Sequence, residues 1–469
     1  MKYILNENIL LRKWRDGLPW YMYRGSSSRR RLTEEEWTFL CRCDGVTGSE
    51  PSFLADRLEL SGMIRPAGEG ASLLPDQIRD YENAYIQSID INITDVCNYN
   101  CLHCFHAADN GVKRDVYTRE ELQRLLDEIR DCGIAGVRLT GGEPTLHPEF
   151  REILSDIRQK GLQLATLITN GSRLDPEMVA FIRELHPDAQ IMISFDGIGC
   201  HDWLRQHPGA EEQALRAIRL CKEAGFYVMI NANVNRKNRA VMTESVELLA
   251  DLGVDMIRII RTTEAPRWQL NAGDETLTTE EYYDFSAEFA KAYRESGVRV
   301  PVMIWQSLYL DPARRRFSCF PVKSSVENFR EDLPVCTAFH LKPSVLTNGD
   351  IVHCSPMAGY YELWNLPKEN VKRDGLRKIL TESSFSAALD LTVKDKLRAN
   401  DKCAACPYVR NCQGGCPALS VLSGGDFLSP DGYKCVFFNK GYYEVFCEAL
   451  SGWKNLNPMH RAGNAAGTE

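Results

Sequence analysis

The chain has 469 residues, a formal net charge of −8 and a pI of about 5.7. That balance excludes non-specific binding to nucleic acid or anionic membrane, and the length allows two or three domains with well-buried cores. No apolar run reaches the roughly 18 residues needed to span a bilayer, and Asn6, Glu7 and Asn8 interrupt the apolar start, so it does not read as a secretory signal. Seventeen cysteines in such a chain point to metal binding in a reducing cytoplasm rather than to a disulfide framework.

Residues 1–85 read as a separate small unit. Two β-like runs, 3–14 and 18–23, flank a turn at Asp16-Gly17, and a basic loop spans 25–31. Thr33 followed by Glu34, Glu35 and Glu36 predicts a capped helix running to about Asp44 and stopping at Gly45. A second helix over 51–60 and a short strand over 63–65 complete a winged-helix-like pattern, and 66–80, with Gly68, Gly70 and Pro75, reads as a linker.

From residue 88 the pattern changes to short β-rich runs alternating with amphipathic stretches. Strands are expected over 88–94, 136–140, 163–169, 190–195, 227–234 and 256–260, with helices over 118–132, 148–160, 176–185, 211–224 and 240–252. Six strands alternating in this way predict parallel pairing with right-handed crossovers, hence an open or closed α/β barrel with its chemistry at the strands' C-terminal ends. Beyond about residue 300 the repeat stops and cysteines accumulate up to 450. Residues 451–469 read as a tail.

The strand over 88–94 delivers Cys97, Cys101 and Cys104, three thiols in one short loop, with Phe105 directly after them. A closed zinc site needs four protein ligands and would have to borrow His103 or His106. An iron–sulfur cubane held by three thiolates keeps one iron open, and the spacing favours it. Two other polar groups end barrel strands: Gly141-Gly142-Glu143-Pro144, and Ser194 with Asp196. Six further cysteines (Cys41, Cys43, Cys132, Cys200, Cys221 and Cys447) are scattered and read as buried packing residues, the first two on a predicted helix.

The paired motifs, Cys97-x3-Cys101-x2-Cys104 after one strand and Gly141–Pro144 after the next, resemble those of the radical S-adenosylmethionine (SAM) enzymes, with residues 88–300 as the core. The resemblance implies a partial (β/α)6 barrel and a 4Fe–4S cluster whose open iron chelates SAM. It also implies reductive cleavage to a 5′-deoxyadenosyl radical that removes a substrate hydrogen. Phe105 then matches the aromatic position near the adenine. Gly141, Gly142, Glu143 and Pro144 match the segment that holds the methionyl amino group, partly through the Glu143 carboxylate. Ser194 and Asp196 are similar to the family's polar contacts to ribose or carboxylate. Arg205 would pair with the methionyl carboxylate, and Asn231 and Asn233 would face the cavity. No acid, base or radical donor is assigned.

Cys336, Cys354, Cys403, Cys406, Cys412, Cys416 and Cys435 resemble the SPASM extension of that family, which implies two auxiliary 4Fe–4S clusters. By the family's interleaved pattern Cys403, Cys406, Cys412 and Cys435 hold one cluster. Cys336, Cys354 and Cys416 hold the other, with Cys319 as candidate fourth ligand. The N-terminal unit is similar to the peptide-recognition modules of maturases of ribosomally synthesised peptides, in which a leader adds as a strand to a sheet edge. The implied partners are a precursor peptide and a low-potential electron donor such as flavodoxin or ferredoxin, with no nucleic acid and no membrane. The implied activity is an oxidative peptide modification, such as a thioether or carbon–carbon crosslink. A formylglycine-forming oxidase of the sulfatase-maturase kind and maturation of a peptide-derived redox cofactor are the enzyme alternatives. A non-catalytic iron–sulfur electron carrier is the alternative of another class.

Overall fold

The computed structural model describes residues 1–15, 19–24, 29–48, 50, 52–105, 115–262, 266–323, 328–336, 338–363, 366–424 and 426–459. The turn expected at Asp16-Gly17, most of the basic loop 25–31, His106 and the last ten residues of the tail lie outside them.

The N-terminal unit is built on two small sheets. The apolar run expected over 3–14 is two strands, β1 (Lys2–Leu5) and β2 (Ile9–Trp14), because Asn6, Glu7 and Asn8 turn the chain between them. Next come β3 (Trp20–Tyr23), β4 (Arg29–Arg31), α1 (Glu34–Cys41), β5 (Asp44–Gly48), α2 (Phe53–Leu60), β6 (Ile64–Pro66) and β7 (Ile78–Tyr81). One sheet has the order β5-β1-β6 and the other β4-β3-β2-β7. Thr33 caps α1 through a reciprocal bond with Glu36, as its sequence predicts. Two expectations fail here. The first helix stops at Cys41, so Cys43 lies beyond it, and Asp44–Gly48 pairs with β1 as a strand. The linker expected over 66–80 runs into β7, which is parallel to β2; a four-residue strand just after Gly68, Gly70 and Pro75 carries too little periodicity to stand out.

The central unit follows its predicted alternation closely: β8 (Ser88–Asn92), α3 (Arg119–Asp131), β9 (Gly136–Thr140), α4 (Phe150–Gln159), β10 (Gln163–Thr169), α5 (Pro176–Leu185) and β11 (Gln190–Ser194). It continues through α6 (His201–Arg205), α7 (Ala210–Glu223), β12 (Tyr227–Val234), α8 (Met242–Asp251), β13 (Met256–Arg261), α9 (Pro266–Asn271), α10 (Thr279–Ser296) and β14 (Val302–Ile304). The strands from β8 to β14 pair in order and in parallel. On α3, Leu122, Leu125, Leu126 and Ile129 recur at helical spacing and are buried against the sheet.

Each strand buries one face outward, as at Ile89, Ile91, Val137, Leu139, Ile191 and Ile193. The alternate positions line a central cavity in two rings. The upper ring, at the strands' C-terminal ends, holds Thr140, Asn170, Ser194, Asn233 and Ile260; the lower holds Asp90, Arg138, Ile168, Met192, Asn231 and Arg258.

The sheet extends past both edges of the barrel. β15 (Leu308–Asp311) and β16 (Arg316–Cys319) continue antiparallel from β14, and β20 (Lys454–Asn455) closes that edge, so part of the expected tail is a strand. At the other edge β17 (Ser344–Val345) runs parallel to β8, followed by β18 (Asp350–Val352) and β19 (Glu369–Asn370). The sheet is open, with β19 and β20 as its ends.

The N-terminal unit docks on the end of α3. Trp14 is buried, donates from Nε1 to the Cys132 carbonyl at 3.4 Å and stacks on Tyr81 with ring centres 5.2 Å apart. Gly133 allows this contact, because its φ is +72° and a Cβ there would lie 2.6 Å from the Tyr81 ring. Trp14→Ala should therefore cost about 3–5 kcal/mol. Thermal unfolding together with limited proteolysis should show the N-terminal unit released before the barrel melts.

Candidate functional site

The three-cysteine loop is held by backbone contacts. Gly142 N donates to Thr94 O at 2.6 Å and Glu143 N to Val96 O at 2.8 Å, so the end of β9 grips the base of the loop. A Cβ on Gly141 would lie 2.2 Å from Thr94 O, and one on Gly142 2.3 Å from Val96 O. Only glycines permit that approach. From the far side, Asn100 N and Leu102 N donate to the carbonyls of Arg205 and Leu204 at the end of α6. Trp268 of α9, fully buried, packs with Leu204 and Leu102 beneath the loop.

Cys97, Cys101, Cys104 and Phe105 all line the barrel cavity, whose volume is about 810 Å3. Donors already point at two of the sulfurs: Tyr99 N lies 3.4 Å from Cys97 Sγ, and Arg205 NH1 lies 3.8 Å from Cys101 Sγ. Burial pushes the Cys97 thiol up to about 12, which an electropositive centre bound to the sulfur would reverse. His103, also at the cavity wall, is pushed down to about 3 by burial and stays neutral, with its Nδ1 unbonded. Unpartnered atoms at the cavity wall also include Asn231 Oδ1, Asn233 Oδ1 and Arg267 Nε. Three thiols beside a set of unspent hydrogen-bonding atoms fit a cluster together with a polar ligand. Among the described residues no three His, Cys, Asp or Glu side chains close on a single metal-ion position; a cubane is gripped at separate corners.

Two residues expected to contact the cofactor, Glu143 and Asp196, are fully buried and hydrogen-bonded within the protein. The Glu143 carboxylate is fully buried and does not line the cavity. Its Oε1 accepts from Thr145 N at 3.2 Å, Thr145 Oγ1 at 2.5 Å and Thr169 Oγ1 at 2.7 Å, and its Oε2 accepts from Asn170 N at 2.7 Å. With both oxygens engaged, it ties the ends of β9 and β10 together, and Gly141 and Gly142 remain at the cavity wall. Pro144 begins a short 3-10 turn, Pro144–Leu146, and is buried behind them.

Asp196 is likewise fully buried, off the cavity wall. It accepts from Arg205 Nε at 2.6 Å, Arg205 NH2 at 3.1 Å and Asn233 N at 2.8 Å. Burial alone would raise its carboxyl, but Arg205 and His201 hold it far below the ordinary range, and Arg205 stays firmly cationic. The geometry makes Asp196 the residue that positions Arg205, whereas Arg205, Ser194, Asn231 and Asn233 themselves reach the cavity.

The later cysteines fall into two sets. Cys336, Cys354 and Cys416 line the same cavity as the three-cysteine loop. Cys403, Cys406, Cys412 and Cys435 surround a separate small cavity of about 70 Å3. Asp431 stands between the sets: its Oδ2 accepts from Cys416 N at 2.8 Å, and it also borders the smaller cavity. Cys319 joins neither set. It is fully buried in β16, where its backbone is held by Asn457, and its thiol neighbour is Cys447, so it is a core residue.

Sequence reading passed over the cavity's cations, Arg138, Arg258, Arg261, Arg267 and Lys342. The signal was present in SIDIN, GVRLT and MIRIIR, where a charge alternates with buried apolar residues and must face inward. Arg258 is pushed down to about 10 and Lys342 to about 8, in both cases mainly by burial.

Residues 91–249 match the Radical SAM superfamily. The chain carries a radical SAM domain. The cofactors of such a domain are a 4Fe–4S cluster and SAM. An AdoMet-dependent heme synthase of Methanosarcina barkeri is 27% identical over 353 residues, covering 74% of this chain and 95% of that protein. Among solved structures, Streptococcus suis SuiB bound to precursor peptide SuiA superposes with a TM-score of 0.64 at 16% identity, covering 92% of this chain and 99% of that one. AnSMEcpe with bound AdoMet superposes with a TM-score of 0.57 at 18% identity, covering 78% and 93%. Among the described residues no helix is long and apolar enough to cross a membrane.

Two measurements test this arrangement. Cys319→Ala should keep the full iron content after anaerobic reconstitution, whereas replacing Cys403 and Cys406 together should remove about four irons per chain. Asp196→Asn should lower stability by about 3–5 kcal/mol, because it strips a buried guanidinium of its counter-charge. The same variant should weaken SAM binding in equilibrium dialysis.

Proposed function

We propose that this chain is a radical SAM enzyme that modifies a precursor peptide. Cys97, Cys101 and Cys104 hold the SAM-binding cluster in this reading. Cys403, Cys406, Cys412 and Cys435 hold one auxiliary cluster, and Cys336, Cys354 and Cys416 hold the other. When bound, the cluster and SAM together supply a carbon radical able to remove a hydrogen atom from substrate. The chain's own residues do the positioning. Gly141 and Gly142 bring the backbone to the SAM site, Asp196 aims Arg205 at it, and Phe105 offers an aromatic surface at its rim.

The observation that carries the peptide reading is the extent of the likeness to the peptide-bound fold. A superposition over 92% of the chain exceeds everything after residue 85, so it reaches into the N-terminal unit. That unit offers β5 at a sheet edge with Val46 exposed, a geometry suited to strand addition by a leader. Bond formation between two substrate positions removes two hydrogens. One leaves as an atom and the other as a proton and an electron, and an auxiliary cluster held by Cys336, Cys354 and Cys416 or by Cys403, Cys406, Cys412 and Cys435 would take up that electron in this proposal.

A second reading has its own observation. The heme synthase relative is matched over 95% of its length, and the cavity's cations suit the carboxylates of a tetrapyrrole. The test is to incubate reconstituted, reduced holoenzyme and SAM with a synthetic peptide encoded beside its gene, and in parallel with an iron tetrapyrrole carrying propionates. The expected result is 5′-deoxyadenosine together with a peptide lighter by two hydrogens. Deoxyadenosine accompanied by consumption of the tetrapyrrole and an unchanged peptide would replace the first reading with the second. Three intact clusters with no deoxyadenosine under any condition would leave only an electron carrier.

A further inference from the structure

The lower ring of the barrel holds more positive charge than its own carboxylate balances. Asp90 is committed to Arg138 at 2.7 Å, with side chains only 4% and 11% exposed. The two are register partners on β8 and β9 and neutralise one another. Across the ring, Arg258 has no carboxylate within ion-pair reach among the described residues. Its guanidinium lies over the Trp305 ring, 5.0 Å from the centroid, and NH1 sits 3.8 Å from Met192 Sδ. Lys342, two residues before β17, enters the same cavity beside the Asp90–Arg138 pair and also lacks an ion-pair partner among the described residues.

Two cations facing a cavity with a largely apolar wall are costly unless negative charge joins them; Cys354 lies near Lys342, but no carboxylate pairs with Arg258 among the described residues. SAM does not account for them. Its carboxylate has a cation of its own in Arg205, which is fixed by Asp196 and reaches Cys101 in the upper ring. The floor is a different place: its neighbours are Met192, Trp305 and the loop carrying Cys354.

We infer that Arg258 and Lys342 form an anchor for a carboxylate of the substrate, which holds the substrate from below while its reacting carbon faces the three-cysteine loop. This rests on the enzyme reading proposed above and narrows its substrate to one with an acidic side chain near the reacting position. Arg258 offers a planar fork matched to a carboxylate, and Lys342 adds a second donor from the neighbouring edge. Trp305 beneath the guanidinium restricts its motion and orients the fork. In a peptide the anchored group is an aspartate or glutamate; in a tetrapyrrole it is a propionate.

The probes are N-acetyl-glutamate amide, its glutamine counterpart and coproporphyrin III. Each is equilibrated by dialysis against anaerobically reconstituted holoenzyme saturated with SAM. The expected result is retention of the glutamate probe about tenfold or more tighter than the glutamine probe. That preference should be lost in Arg258→Gln, reduced in Lys342→Gln and kept in Arg258→Lys. Retention of coproporphyrin III that is lost in Arg258→Gln, with no glutamate preference, keeps the anchor and transfers it to a tetrapyrrole substrate, so the peptide reading falls alone. A glutamate preference with no peptide ever modified has the same consequence for that reading. Equal retention of glutamate and glutamine together with no porphyrin binding overturns the anchor, as does binding unchanged in Arg258→Gln. If Arg258→Gln does not fold, the wild-type preference and Lys342→Gln still decide the matter.

Discussion

Everything at the site depends on a backbone clamp: Gly142 N to Thr94 O and Glu143 N to Val96 O. It works because Gly141 and Gly142 have no Cβ to collide with those carbonyls. From the clamp the constraint spreads through Glu143 to Thr169 and Asn170 at the end of β10. It then returns through Asn170 Nδ2 to Asn98 Oδ1, at 3.0 Å, inside the cysteine loop. The loop leaving β8 is thus tied to two neighbouring strand ends before any metal is bound, and the conformational cost of ordering three thiols is met mostly by folding of the barrel.

The opposite wall uses charge instead of close approach. Asp196 and Arg205 are both buried, and a buried pair is tolerable only when its remaining donors and acceptors are engaged. Here Asn233 N completes Asp196, and the carbonyl of Arg205 accepts from the cysteine loop. The short helix α6 therefore serves the loop twice, by its backbone end and by its last side chain. A conserved shape with a shorter, neutral residue at either position would leave an unpaired charge or an open loop.

What was legible in the chain follows from the strength of each local signal. The strands over 136–140, 163–169 and 227–234 and the helix over 176–185 appear where periodicity and capping place them, because each is long enough to carry a repeat. The cysteine grouping was also legible, since spacing alone separates thiols from scattered packing residues. The burial of Glu143 and Asp196 was not. A carboxylate beside a motif looks the same in sequence whether it faces a ligand or braces a turn, and only burial with four engaged donors tells them apart. Cys319 misled for a related reason: a cysteine near a cluster motif carries no mark of the strand, β16, that turns it into the core. β5 and β7 escaped because pairing partners distant in sequence define them.

The two later thiol sets are close in sequence yet separate in space, and Asp431 explains how. Cys412 and Cys416 are four residues apart, but the chain between them passes through Gln413, Gly414 and Gly415, all at positive φ. That left-handed passage reverses the loop, so one thiol faces the small cavity and the other the barrel cavity. Asp431 locks it: a Cβ on Gly415 would lie 2.4 Å from the Asp431 side chain, which also accepts from Cys416 N and caps the helix Gly432–Asn439 that carries Cys435. One carboxylate therefore sets the spacing between both thiol groups. Buried Lys434, pushed down to about 8 by burial, stands beside it against the negative charge that thiolates would bring. The arrangement leaves few bonds between the two sets, so the loop Cys412–Cys416 is a short through-bond path joining the barrel cavity to the smaller one.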